Sequence, residues 1–162
     1  MQEEQTKKKR ITDKGVALAK AEHHCAYQER SQQEVRSKLY DWGIWTDAVE
    51  EIISELIINN FLNEERFAKA YAQGKFRVKG WGRAKIKQGL KFKGISENCI
   101  KKGLAIIDPD EYEQKLAEII KKKSALEKEK NELKRNYKLA SYAISRGFES
   151  DMVWEKIKKF SI

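Results

Sequence analysis

Three glycines divide this sequence into copies of one pattern. The tripeptides Trp42-Gly43-Ile44, Lys93-Gly94-Ile95 and Arg146-Gly147-Phe148 recur at spacings of 51 and 53 residues. Four positions before each glycine stand Leu39, Leu90 and Ala143, and eight before stand Val35, Ile86 and Leu139. Six positions after come Val49, Ile100 and Val153, and ten after come Ile53, Leu104 and Ile157. Repetition on this template means that one supersecondary unit is built three times.

The spacing says what the unit is. Val35 and Leu39, like their counterparts, lie four apart and give a helix one apolar stripe. Glycine at C′ accepts the left-handed conformation that ends the helix, and the apolar residue after it folds back on the last turn. A second helix then starts at Thr46 or Ser96, and near Glu149 or Ser150 in the third copy, with its own stripe at Val49/Ile53 and equivalents. A further helix precedes each pair. The first runs from about Thr12 to Glu29, ahead of the capping box Ser31-Gln32-Gln33-Glu34. The second starts at Asn63 and carries Phe67, Tyr71 and Val78. The third starts at Asp108-Pro109, an N-cap acceptor followed by the chain's one proline, and carries Tyr112, Leu116, Ile119 and Ile120.

Hairpin signals such as Asn-Gly or Asp-Gly are absent. The expected fold is all-α: three tandem three-helix repeats forming an elongated, curved nine-helix array. The expected organisation is a flexible basic tail over 1–10 and repeats over 11–60, 61–107 and 108–162. The period exceeds that of tetratricopeptide and HEAT-type repeats.

Composition removes other classes. No apolar run approaches the ~18 residues of a membrane span, and Met1–Arg10 lacks the apolar core of a signal peptide. Charged residues make up 36% of the chain, but the Ile, Leu, Val and aromatic content is enough for a core, which argues against global disorder. Cys25 and Cys99 are the only cysteines, so no disulfide framework is expected and a reducing, cytoplasmic compartment is the simpler reading.

The net charge of +9 is localised. Residues 1–74 hold 11 basic and 13 acidic side chains, and residues 103–162 hold 13 and 11. Residues 75–102 hold ten basic side chains and one acid, Glu97, so the whole excess lies in 28 central residues. A solvated face normally balances its charges, as the Lys/Glu mixture of 127–135 does. The central segment does not, and self-repulsion on that scale points to an acidic partner.

Phe61-Leu62-Asn63-Glu64-Glu65-Arg66-Phe67-Ala68-Lys69-Ala70-Tyr71 resembles the most characteristic stretch of the RecX family, regulators of the bacterial RecA recombinase. The run through Gly80, Arg83, Lys85-Ile86 and Leu90 to Lys93-Gly94-Ile95 is also similar to that family, as is Arg30 to Leu39. The resemblance spans roughly residues 16–160. Many members carry proline after the glycine corresponding to Gly80, where this chain has Trp81-Gly82. The third unit matches mainly through Tyr137, Arg146-Gly147-Phe148 and the last helix. The resemblance implies a non-enzymatic modulator lying along the groove of the recombinase–DNA filament, lowering strand exchange, ATP turnover or filament growth.

Candidate contact residues follow from the central repeat. Arg83, Lys87 and Lys91 are spaced four apart on one helix stripe, with Ile86 and Leu90 about 100° away towards the core. Lys75, Arg77 and Lys79 end the preceding helix, where cations also suit its dipole. That effect does not account for Lys85, Lys87, Lys91, Lys93, Lys101 and Lys102. The expected partner or DNA contacts are Arg77, Lys79, Trp81, Arg83, Lys85, Lys87, Lys91 and Lys93, facing phosphates or an acidic filament groove. Trp81 either stacks on a base or packs its turn onto a helix. Phe67 and Tyr71 are expected in the core. Arg66 either pairs with an acid such as Glu64 or Glu65 or reaches the partner. Trp42, Trp45 and Trp154 are expected between helices.

No catalytic set emerges. His23 and His24 diverge by 100° on a helix, and Cys25 beside them is not a catalytic geometry. Neither a phosphate loop nor a dinucleotide fingerprint is present, and no cofactor is expected. Pro109-Asp110 with Glu113 and Lys115 superficially matches a metal-nuclease pattern, but acids in a first helical turn serve the dipole. Taken with the basic segment, the RecX resemblance implies a monomeric regulator of the RecA filament, contacting single- or double-stranded DNA through phosphates. A sequence-independent DNA-binding module is the competing reading.

Overall fold

The computed structural model describes residues 10–160. Among them the regular structure is nine helices, with no strand: α1 Lys14–Tyr27, α2 Gln32–Asp41, α3 Thr46–Ile58, α4 Glu64–Arg77, α5 Arg83–Phe92, α6 Glu97–Ala105, α7 Pro109–Leu126, α8 Glu132–Ser145 and α9 Ser150–Phe160. The all-α, three-repeat reading is what the chain adopts. Residues 1–9 of the expected tail lie outside the described residues, while Arg10 donates from Nε to the Gly43 carbonyl at 3.1 Å.

The glycine stops are built alike. Gly43, Gly94 and Gly147 take φ of +83°, +75° and +100°. In each, the following residue's N–H reaches back to the helix (Ile44 to Leu39, Ile95 to Leu90, Phe148 to Ala143), and the glycine N–H bonds to Tyr40, Lys91 or Ile144. These are Schellman motifs, and the apolar residue that closes each is buried. Asn60, at φ +61°, ends α3 in the same way.

Other helix starts follow local chemistry. Ser31 and Glu34 form the full capping box of α2. Asp13, Ser96, Asp108 and Asn131 accept the N–H three residues on at the starts of α1, α6, α7 and α8. Thr46 is not a cap: it is the first helical residue of α3, and Trp45 takes the N-cap position without a side-chain bond.

The apolar stripes are buried with four exceptions, of which Tyr71, expected in the core, and Ile119 are half-buried. Val78 lies one residue beyond α4 and is 80% exposed, and the buried residue of that turn is Phe76. Leu104 is only half-buried because Gly103 beside it makes the close contact, so that a Cβ there would meet the Ala68 backbone at 2.8 Å. The Lys/Glu-rich stretch is neither a continuous helix nor without structure. α7 stops at Leu126, and Arg135 on α8 donates back to the Ser124 carbonyl at 2.9 Å and the Glu127 carbonyl at 3.2 Å.

The described residues form two compact units dividing between Phe67 and Ala68, within α4. The first has a core of Ala17, Ala21, Val35, Leu39, Val49, Ile52, Ile53, Leu56 and Leu62, with Trp42 and Phe61 against its edge. Full burial of each larger side chain is worth roughly 1.5–3 kcal/mol. The second unit holds most of the second helix triplet and all of the third. Its centre is an aromatic stack in which the Tyr112 ring lies 5.8 Å from Phe76 and 5.0 Å from Phe148. The turn before α5 is zipped to the turn before α9: Gly82 N–H donates to the Arg146 carbonyl at 2.8 Å and Ala84 N–H to Gly147 at 3.0 Å. Two glycines meet there because a Cβ on Gly82 would run into the Gly147 backbone.

Candidate partner-binding surface

The basic segment comprises the end of α4, the turn 78–82, α5 and α6, all in the second unit. The expected contact residues fall into four environments. Lys79 and Lys87 are exposed, and Lys93 is half-buried. Arg77 and Lys91 are exposed and lie at long ion-pair distances from acids, 3.4 Å to Glu111 and 3.4 Å to Glu97. Pairs of this kind contribute about 0–1 kcal/mol.

Arg83 differs from its stripe neighbours. Its guanidinium lies 3.9 Å over the Tyr112 ring and 3.3 Å from Glu149, and the Arg83 backbone N–H donates to the Tyr112 hydroxyl at 3.1 Å. The Tyr112 hydroxyl in turn donates to Glu149 at 2.7 Å. Burial, with Glu149 adding to it, pushes the Tyr112 phenol well above the ordinary tyrosine range, so the hydroxyl stays a donor. Arg83 is thus a structural cation, and reversing its charge would disturb the unit as well as the surface.

Trp81 is half-buried, with two ammonium groups over its ring: Lys75 at 4.8 Å and Lys85 at 4.6 Å from the centroid. Lys75 also lies 5.5 Å from the Tyr71 ring, and Tyr71 is itself half-buried. Lys75 is the member that dipole reasoning set aside. The signal available in the sequence was its place one helical turn and a link before Gly80-Trp81-Gly82, with Lys85 four residues after the ring. For Lys75 and Lys85 an aromatic ring stands where a carboxylate normally would, which anchors the side chains while leaving their charge unneutralised.

Lys87 and Lys101 also flank a shallow groove of 320 Å³ between α5 and α6, lined by Glu97, Asn98, Ile100 and Leu104. In the first unit Arg66 pairs with an acid, though not with Glu64 or Glu65. It pairs with Glu29 and donates to the carbonyls of Asn60 at 3.1 Å and Phe61 at 3.2 Å, tying the turn before α4 to the end of α1. Trp42 packs edge-on to His24, Trp154 lies 6.5 Å from the Tyr137 ring, and Trp45 is half exposed. Cys25 is buried, which pushes its thiol up to about 11. Among the described residues no three His, Cys, Asp or Glu side chains are gathered as a metal site requires. None of the described helices is long and apolar enough to cross a membrane.

Family profiles for the first, second and third three-helix domains of RecX match residues 17–56, 63–104 and 110–157. A regulatory protein RecX of Haemophilus influenzae is 30% identical over 128 residues, covering 78% of this chain and 82% of that protein. The chain belongs to the RecX family. Another RecX relative, from Prosthecochloris aestuarii, is 28% identical over 88% of this chain and 91% of its own. The regulatory protein RecX of Clostridium tetani is 33% identical over 80% of this chain, which spans 58% of that relative's length. Among solved structures, RecX from Lactobacillus salivarius superposes with a TM-score of 0.81 at 23% identity, covering 91% of this chain and 96% of that one. The second RecX domain contains α4, α5 and α6, the helices of the basic segment.

Proposed function

We propose that this RecX-family chain regulates the bacterial RecA recombinase by binding the recombinase–DNA filament through the basic face of residues 75–102, and that it restrains filament activity. The observation that carries the reading is the segment with ten basic side chains and one acid, in which Lys75 and Lys85 are held by a ring rather than neutralised. A surface built in this way presents net positive charge with its side chains already ordered. That favours steered association with a polyanionic groove. On this reading the protein is a non-enzymatic monomer of the cytoplasm that contacts DNA through phosphates.

The test is a titration at about 0.15 M salt, where weak phosphate contacts are already screened. The protein is added to naked single-stranded DNA and to the same DNA coated with recombinase and a non-hydrolysable ATP analogue. Tighter binding to the coated DNA is expected. Equal or tighter binding to naked DNA would replace the filament reading with that of a general DNA-binding module.

A further inference from the structure

The filament reading uses the arrangement around Trp81 only as a source of ordered positive charge. We propose that Lys75, Trp81 and Lys85 form a clamp for two neighbouring phosphates of a nucleic-acid strand, in which Trp81 positions the two lysines and does not stack on a base. The clamp rests on the reading of residues 75–102 as a polyanion-binding face and names the chemistry recognised there.

Three observations carry it. First, both ammonium groups are referred to one ring, at 4.8 Å and 4.6 Å from its centroid, so the two charges can be no further apart than those distances laid end to end. Their order is imposed from two sides. Lys75 sits in the last turn of α4 and Lys85 in the first turn of α5. The backbone of Lys85 is wedged against Gly147, where a Cβ would meet the Lys85 nitrogen at 2.6 Å.

Second, the intervening turn has no backbone donors left for an anion. Gly80 N–H bonds to Phe76, Trp81 N–H to Lys75 and Gly82 N–H to Arg146. Arg83 N–H goes to the Tyr112 hydroxyl and Ala84 N–H to Gly147. The site therefore recognises by side-chain charge alone, and lysine, a compact point charge, suits phosphate without demanding a particular base.

Third, a base seated on the Trp81 ring would compete with ammonium groups already over it. Cation–π anchoring lowers the cost of ordering two long side chains on binding, because the cost is met in the free protein.

The test uses the full chain and fluorescent oligo(dT), alongside an abasic strand of the same length, titrated between about 0.05 and 0.2 M salt. Each lysine that neutralises a phosphate contributes about 0.7 to the log–log salt slope on a single strand. Lys75→Gln with Lys85→Gln should therefore flatten the slope by about 1.4. Trp81→Leu should weaken binding on the order of fivefold with the slope unchanged, equally on both strands, because the phosphate contacts remain while their positioning is lost. Trp81→Phe, which keeps a ring, should recover most of that loss, and circular dichroism melts of all variants establish that each is folded.

An unchanged slope in the double lysine variant would overturn the clamp, as would absence of wild-type binding to oligo(dT) at the lowest salt. A Trp81→Leu defect that disappears on the abasic strand would show base stacking instead, and no defect at all would remove the positioning role. Recombinase-coated DNA run in parallel separates the two proposals. Preference for coated DNA in the wild type with an unaffected double variant retains the filament reading and rejects the clamp. A clamp that behaves as described, without preference for coated DNA, does the reverse.

Discussion

The Tyr112 hydroxyl and the Glu149 carboxylate, joined by a 2.7 Å hydrogen bond, connect the first turn of α7 to the residue before α9. Arg83 completes the junction by lying over the ring and against the carboxylate. Tyr112→Phe keeps the ring stack and removes the hydroxyl, leaving the Arg83 backbone N–H without its acceptor and one Glu149 oxygen without its donor, while the Arg83 guanidinium still serves the other. The expected loss is about 1–3 kcal/mol, whereas Tyr112→Ala, which also empties the stack, should cost about 3–5 kcal/mol. Urea denaturation of the three proteins measures both differences. A Phe variant as stable as wild type would show that the hydroxyl contributes nothing net.

The same junction decides which charge reversals test the surface. Lys87→Glu with Lys91→Glu changes two exposed side chains, of which only Lys91 faces an acid, in a pair worth about 0–1 kcal/mol. This double variant should melt within a few degrees of wild type and lose filament binding. Arg83→Glu places a carboxylate against Glu149 and removes the cation over Tyr112, so it should lower the melting temperature as well. Thermal melts beside filament titrations separate the two, and full binding by the folded double variant would exclude Lys87 and Lys91 from the contact.

Two glycines with the same backbone role should respond differently to alanine. Gly94, at φ +75°, has nothing within 4 Å of an added Cβ, so Gly94→Ala carries only the left-handed penalty of about 1–2 kcal/mol. Gly147, at φ +100°, adds a clash with the Lys85 backbone at 2.6 Å and with the Gly82 carbonyl at 2.9 Å. Gly147→Ala should cost clearly more and, by shifting Lys85, should also weaken DNA binding. Equal melting temperatures for the two variants would contradict the zipped-turn geometry.

These contrasts mark the limit of what the sequence carries. The three stops were legible because a Schellman motif is local: its glycine, stripe and closing apolar residue lie within a few positions of one another. The capping box at Ser31 and the cap at Asp108 were legible for the same reason. Val78 and Leu104 were misplaced because extrapolating a stripe takes no account of where α4 ends or of how closely Gly103 lets α6 approach Ala68. The partners of Arg83 and Arg66 lie 66 and 37 residues away in sequence, so no local rule pairs them with Glu149 or Glu29. The charge excess of 75–102 could be counted, but not that rings hold part of it in place.

His24 gives the first unit a pH dependence of definite sign. Burial, reinforced by Arg30 and Lys38, lowers its pKa below the ordinary 6.5. In the unfolded chain His24 takes up a proton as pH falls through 6.5, while the folded protein resists doing so. Its contribution is therefore fully present above that pH and is lost progressively as pH falls below it. His24→Gln should show a smaller loss of stability than wild type between pH 7.5 and 5.5 in paired urea titrations. Identical losses would mean that other groups account for the whole acid dependence.

Arg66 provides the last test, because its role is structural in a stretch that reads as a recognition motif. Its guanidinium serves Glu29 together with the carbonyls of Asn60 and Phe61, beside the left-handed residue that ends α3. The other Glu29 oxygen is buried and has no hydrogen-bond partner, so the carboxylate depends on this single cation. Arg66→Lys keeps a charge but cannot span Glu29, both oxygens of Asn60 and the Phe61 carbonyl, since a compact ammonium lacks the fork of the guanidinium. Arg66→Ala should destabilise by about 1–3 kcal/mol, Arg66→Lys should fall between it and wild type, and Glu29→Gln should soften the effect of Arg66→Ala in a double-mutant cycle. Strict additivity in that cycle would rule out an energetically coupled pair. A filament-binding defect in fully stable Arg66→Ala protein would instead assign the residue to the partner surface.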